Sequence, residues 1–153
     1  MTIEQEIKST NPLDIPKKVM LNLSFSRNVI NDNFNDLLKP YGLSSEQFNV
    51  LRILRGQKEK IVNMNVIQER MLTKNSNTTR LIDKLLVKEL VTRAICADNR
   101  RKMEITITPK GLIVLNELDL KVTAHDKQFT DNLNSDELNT LNELLEKLRF
   151  VKR

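Results

Sequence analysis

Two short stretches of this chain carry the side chains best suited to chemistry, and both suit recognition rather than reaction. Asn75-Ser76-Asn77-Thr78-Thr79-Arg80 is an unbroken run of hydrogen-bonding side chains, with Lys84 one helical turn further on. At the start of a helix, such groups reach base edges and phosphates. An Asn amide matches the N6/N7 edge of adenine, and open backbone N–H groups bind phosphate. The second stretch is Arg100-Arg101-Lys102. A guanidinium enters a narrow minor groove, where the potential is most negative, and an ammonium neutralises a phosphate. The plainer alternatives are an ordinary polar helix start and a charged turn that blunts a strand edge.

The charge balance singles out the same region. Residues 73–110 hold nine basic and four acidic side chains, so this quarter of the chain carries as much net charge as the whole, +5. Residues 1–20 are neutral, 21–72 carry +2 and 111–153 carry −2. A localised basic segment is the electrostatic footprint of a polyanion binder. A solvated surface that happens to be Lys-rich is the competing reading.

Other chemistries are excluded by what is missing. With one Cys and one His there is no internal disulfide and no His/Cys metal cage. No Gly-rich phosphate loop and no nucleophile–His–acid set is present, so neither an enzyme nor a cofactor is expected. The start, Met1 to Glu6, lacks the blocks of a secretory signal, and no apolar run approaches the ~18 residues of a membrane span. A cytoplasmic protein with no membrane partner is expected. Its 153 residues suit one domain, or one with a helical extension. Only 4% of residues are aromatic, with three Gly and four Pro, so a mostly helical fold with a Leu/Ile/Val core is expected.

The first dozen residues show no apolar period and are expected to fray. A long helix is predicted from about Pro16, with Val19, Leu23, Val29, Ile30, Phe34, Leu37 and Leu38 on one stripe, until Pro40-Tyr41-Gly42 stops it. Ser44-Ser45-Glu46-Gln47 has the form of a capping box and opens a short helix with Phe48, Leu51 and Leu54 inward. Asn63 caps the next, burying Val66, Ile67 and Met71. Thr73 is placed to cap a helix from Lys74 to about Lys88, with Leu81, Leu85 and Leu86 inward. The period then becomes two: Leu90–Ala97 and Lys102–Thr108 read as a hairpin around Asp98-Asn99-Arg100-Arg101. Thr108-Pro109 starts a helix to about Phe129 that buries Leu112, Leu115, Leu118 and Val122. Ser135-Asp136-Glu137 starts the last, with Leu138, Leu141, Leu144, Leu145 and Leu148 inward.

Short helix, turn, helix and two-stranded hairpin is the order of a winged helix-turn-helix, and residues 45–110 fit it. The outer helices, 16–39 and 111–150, carry apolar stripes with no partner in such a lobe. They are expected to pack together and against a second copy. Residues 1–39 and 111–153 then form a helical dimerisation region around a DNA-binding lobe, 40–110. Monomeric packing of these helices onto the wing lobe is the other arrangement.

Four strings in this order resemble the MarR family of transcriptional regulators. They are Leu43-Ser44-Ser45-Glu46-Gln47-Phe48, Val62 to Met71, Asn75 to Leu85 with its T-R-L-I-D run, and Asp98 to Lys102 followed by Ile105-Thr106-Ile107-Thr108-Pro109-Lys110-Gly111. The resemblance covers about 40–150. It implies a homodimer that binds double-stranded DNA at a pseudo-palindromic operator, usually as a repressor, released by an effector or an oxidant. The alternative is a winged-helix protein-interaction module without DNA binding, against which the basic segment argues. The implied DNA-binding residues are Asn75, Ser76, Asn77, Thr78, Thr79, Arg80, Lys84, Arg100, Arg101 and Lys102. Members of the family bind small aromatic acids between the dimerisation helices and the DNA-binding lobe. Phe25, Phe34, Phe48, Tyr41 and the Met residues are the corresponding candidates, with plain core as the alternative. Family thiol sensors place their Cys in the first helix; Cys96 is not there and is expected to be structural. His125 is expected in a solvent or interface position.

Two departures from the family stand out. Counted back from Ile107-Thr108, the D-x-R of the wing falls on Asn99 and Arg101; counted from Asp98, its Arg is Arg100. Strand register favours Arg101 in the groove and leaves open whether Asp98 or Asn99 braces the wing. Where the family often has Gly at the end of the recognition helix, this chain has Glu89. That residue must adopt the left-handed conformation or end the helix differently.

The register argument predicts that Arg101→Ala weakens duplex binding by roughly 1–3 kcal/mol and removes a preference for A/T-rich flanks. Arg100→Ala should weaken all sequences alike. Competition titrations with duplexes differing only in their flanks distinguish the two, and the reverse pattern moves the count to Asp98.

Overall fold

A computed structural model describes residues 1–57, 62–96 and 103–150. It contains seven α-helices and a small antiparallel sheet, and so is mostly helical. The elements are α1 (Ile3–Glu6), α2 (Ile15–Leu38), α3 (Ser45–Gly56), β1 (Val62–Asn63), α4 (Met64–Arg70), α5 (Thr78–Val87), β2 (Val91–Ile95), β3 (Met103–Ile107), α6 (Pro109–Thr130) and α7 (Ser135–Arg149). The fold is a winged helix-turn-helix flanked by long helices, as the sequence predicts.

Local chemistry sets most of the boundaries. Asp14 caps α2 by accepting from the Lys17 N–H at 3.1 Å, and Pro16 occupies its first turn. Pro40 then tightens the chain into a short 3-10 turn, and Gly42, at φ +61°, reverses it. The capping box of α3 is complete, with Gln47 N–H donating to Ser44 Oγ and Ser44 N–H donating to Gln47 Oε1. Asn63 caps α4 and Thr108 caps α6.

The sheet runs in the order β1-β3-β2. Val62 lies opposite Ile105, Val91 opposite Ile107, and Ile95 opposite Met103. Ile105, on the central strand, faces the core; Val62 and Val91 are buried on either side. Leu38, Leu51, Ile67, Met71, Ile82, Leu85, Leu115 and Leu118 complete a core made almost wholly of aliphatic side chains. Each fully buried one contributes about 1.5–3 kcal/mol relative to exposure. A bidentate pair fastens α3 to α6: Arg55 donates to both carboxylate oxygens of Asp119 at 2.8 Å. Hydrogen bonding from the guanidinium holds the Asp119 carboxyl below the usual carboxylate range.

Four expectations are corrected and one element is added. The N-terminal residues are not simply frayed: Thr2 and Gln5 form a capping box for α1, and Ile3 is buried. β1 was not foreseen, because a two-residue strand has no readable period. The recognition helix starts at Thr78 rather than Lys74; Ser76 folds back on the Thr73 carbonyl through both its N–H and its Oγ, so Asn77 becomes the cap. The last helix is capped by Asn134, one residue before Ser135, with Glu137 closing the box. Along α7, Leu141, Leu144 and Leu148 do not face inward. They are exposed, and only Leu138 and Leu145 are half-buried.

The junction after α5 resolves the Glu89 question. Glu89 takes the left-handed conformation, φ +60°. Its N–H donates to the Leu86 carbonyl at 2.9 Å and Leu90 N–H to the Leu85 carbonyl at 3.0 Å, which is a Schellman ending without glycine. Two groups hold it there: Thr108 Oγ1 donates to the Glu89 carbonyl, and Lys110 pairs with its carboxylate at 3.0 Å. Beside it, a Cβ on Gly111 would sit 2.4 Å from the Leu90 carbonyl oxygen and 2.8 Å from Ile107 Cγ1.

Opposite stability changes follow for neighbouring positions. Glu89→Gly should stabilise by about 1 kcal/mol, because it removes the left-handed penalty and loses only an exposed ion pair. Gly111→Ala should destabilise by about 2 kcal/mol or more, since a backbone carbonyl cannot step aside as a side chain does. Thermal unfolding of the two variants checks both; an unchanged midpoint for Gly111→Ala would contradict the close approach.

Candidate nucleic-acid interface

The start of α5 is where the polar run gathers. Asn75 and Ser76 lie in the turn between α4 and α5, Asn77 is the cap, and Thr78, Thr79 and Arg80 form the first helical turn. Asn75, Asn77, Thr79, Arg80 and Lys84 are exposed, and Ser76 is half-buried. Spacing puts Thr79, Arg80, Asp83, Lys84 and Val87 on one solvent face. This is a polar and basic face, open at the end where the backbone N–H groups point.

Within this set, Thr78 is the correction. It is 6% exposed, and its hydroxyl donates to Gln68 Oε1 on α4. It braces the helix start from below instead of facing outward. Ser76 Oγ donates to the Thr73 carbonyl at 2.7 Å, and Asn77 Oδ1 accepts from Arg80 N–H at 3.0 Å, so both also serve the local geometry.

The sheet sits beside this face. Arg93 on β2 donates to Asp83 on α5 at 2.9 Å, tying the recognition helix to the strand that leads into the hairpin tip. The sequence offers no local cue for this pair, whose members are ten residues apart on different elements. Asp98, Asn99, Arg100, Arg101 and Lys102 lie outside the described residues. Cys96 is half-buried just beyond β2.

A second feature lies between α2, α3 and the turn that precedes α5. A cavity of about 560 Å³ is lined by Arg27, Asn31, Phe34, Phe48, Asn49, Arg52, Leu72 and Thr73, among others. Phe34 and Phe48 meet edge to face at 5.4 Å, and Arg52 lies 5.9 Å from the Phe48 ring centre. Of the aromatic candidates these two line the cavity, whereas Phe25 and Tyr41 do not. Behind Phe34 stands His125. It is buried, not solvent-facing, because α6 packs it between Phe34 and Phe129 with Nε2 3.3 Å from the Ile30 carbonyl. Arg27 and Arg52 had drawn no attention in the sequence; only the packing of α2 on α3 brings them together.

Among the described residues no three His, Cys, Asp or Glu side chains group as a metal site, and no helix is long and apolar enough to cross a membrane.

A short scaffold helix, a turn, an exposed polar helix start and a sheet braced against it define a DNA-binding winged helix-turn-helix protein. Residues 43–103 match the family model described as MarR family. The chain belongs to the MarR family of transcriptional regulators. A relative described as the uncharacterized HTH-type transcriptional regulator YpoP of Bacillus subtilis (strain 168) is 34% identical over 120 residues, covering 78% of this chain and 82% of that one. The fold is shared with MepR of S. aureus in its DNA complex, at a TM-score of 0.78 and 15% identity over 90% of this chain and 97% of that one. It is equally shared with BpsR of Bordetella bronchiseptica, at 0.78 and 20% identity over 93% and 100%. That structure is described as showing regulation of DNA binding by 6-hydroxynicotinic acid.

The Asp83–Arg93 pair gives a charge test of the interface. If this face meets phosphates, Arg93→Ala leaves a bare carboxylate on it and should cost about 1 kcal/mol of duplex affinity. Adding Asp83→Asn should restore most of it. Anisotropy titrations at fixed salt read both, and an unrecovered loss would mean that Arg93 touches the duplex itself.

Proposed function

We propose that this protein is a homodimeric repressor acting in the cytoplasm, which reads a pseudo-palindromic operator and is released by a small anionic aromatic effector. The observation that carries the reading is the exposed face of α5, with Asn75, Thr79, Arg80 and Lys84 beside a sheet held by Arg93. Asn77 and Ser76 shape that face through the cap and the turn. Thr78 acts from beneath. Arg100, Arg101 and Lys102 are assigned to the wing on the sequence argument, as minor-groove and phosphate contacts.

The dimer rests on apolar surface that the single chain leaves open. Val19, Leu23, Val29 and Ile30 of α2 remain 38–45% exposed, and α7 shows Leu144 at 56%. Between the two helices runs an apolar groove of about 550 Å³, lined by Val19, Leu23, Ile30, Leu141, Leu145 and Leu148. Residues 1–39 and 111–153 are therefore assigned to dimerisation, and 40–110 to the DNA-binding lobe. A second copy related by two-fold symmetry removes these side chains from water and places two recognition helices on one duplex.

The effector assignment rests on the cavity between α2 and α3. Two guanidinium groups beside two aromatic rings suit a carboxylate on a flat ring. Leu72 and Thr73 in its wall belong to the turn that launches α5, so an occupant touches the segment that leads into the DNA-reading helix. 6-Hydroxynicotinic acid, described as regulating DNA binding by BpsR, has this chemistry.

Selection of bound duplexes from a random pool tests the function. The expected result is a recovered sequence with two inverted half-sites one helical turn apart, bound by a particle of twice the 17.8 kDa chain mass. Light scattering that returns one chain mass would remove the dimer; recovery of no sequence would favour a protein-binding wing.

A further inference from the structure

The turn between α4 and α5, residues 71–77, is tied down by one side chain from α4. Gln68 Nε2 donates to the Lys74 carbonyl at 2.6 Å, and Gln68 Oε1 accepts from Thr78 Oγ1. The same amide therefore holds the middle of the turn and the first residue of the recognition helix. Lys74 is fixed a second time, because its ammonium donates to the Glu69 carbonyl in the last turn of α4 at 2.7 Å. That bond satisfies a carbonyl the helix leaves open.

The arrangement needs an amide. A primary amide carries a donor and an acceptor on one planar group; a carboxylate offers acceptors alone, and an aliphatic side chain offers neither. Thr78 cannot turn elsewhere at no cost, since it is buried, and a buried hydroxyl without a partner is unfavourable. Among the described residues no buried side-chain polar atom lacks a partner. The polar pair between Gln68 and Thr78 specifies distance and direction as dispersion does not.

We propose that Gln68 is a positioning residue for base reading. By holding Lys74 and Thr78 together, it fixes where Asn75, Thr79 and Arg80 stand relative to the helix axis, without touching DNA itself. Base contacts depend on that placement within a fraction of an ångström, while phosphate contacts through flexible Lys and Arg tolerate a shift. Gln68 therefore governs discrimination between sequences more than affinity for DNA. This inference rests on the DNA-reading assignment of α5.

The test uses the full chain, the duplex recovered by selection and a random-sequence duplex of equal length. Gln68→Leu and Thr78→Val should each lower affinity for the selected duplex by about tenfold, a loss of the size of a mismatched base pair. Affinity for the random duplex should stay within about twofold, and its salt slope should not change, because phosphate contacts persist. Thr78→Ser, which keeps the hydroxyl, should restore discrimination. Thermal melts run alongside; if Gln68→Leu does not fold, the Thr78 variants decide. An unchanged ratio of the two affinities, or a parallel fall in both, overturns the proposal. A parent protein that selects no duplex fails at the earlier step, the assignment of α5 as a DNA reader.

Discussion

The carbonyl of Leu90 is the point on which the winged lobe is hung. It accepts from the Thr108 N–H at 3.0 Å, and a Cβ at Gly111 would sit against its oxygen. Thr108 in turn caps α6 through Oγ1 and donates to the Glu89 carbonyl. The end of α5, the start of β2, the end of β3 and the start of α6 are all fixed within a few residues of this atom. The recognition helix and the sheet therefore have one mutual orientation, set by backbone groups more than by the exposed side chains of α5. Arg93–Asp83 trims that orientation from the outside, and Arg55–Asp119 carries it into α6.

The helical part of this architecture was legible because its signals are local. Ser44 to Gln47, Asn63 and Thr108-Pro109 each place a cap and a first turn within four residues, and each forms as written. Thr73 misled because it has the right chemistry for a cap, but its carbonyl is claimed by Ser76. The tighter turn then passes the capping role to Asn77. Glu89 shows the opposite case: the sequence posed two endings, and the tertiary bonds from Thr108 and Lys110 accompany the one observed.

Legibility fails where partners are distant in sequence. β1 exists only because Val62 and Asn63 find Ile105 and Glu104 across the sheet. Arg27 and Arg52 share a cavity with Phe34 and Phe48 only after α2 folds over α3. His125 looks like a surface residue by its polar neighbours, yet α2 covers it. The apolar stripe of α7 was visible as a stripe, but nothing in its spacing says whether the chain itself or another molecule covers it. Of the polar run at 75–80, composition identified the segment, whereas the inward turn of Thr78 depends on a glutamine ten residues earlier.

The length of α2 has a mechanical consequence. Its 24 residues span about 36 Å at 1.5 Å per residue, with the groove against α7 running from Val19 to Asn31 and the fold-back into α3 at its end. A rod of that length acts as a lever: a tilt of about 5° at one end moves the other by about 3 Å, close to the 3.4 Å step between stacked base pairs. Pro40 and Gly42 lie in the short turn that joins this far end to α3. An angular change of that size at one end of α2 is thus comparable, at the end that leads into α3, with the spacing of a single base-pair step.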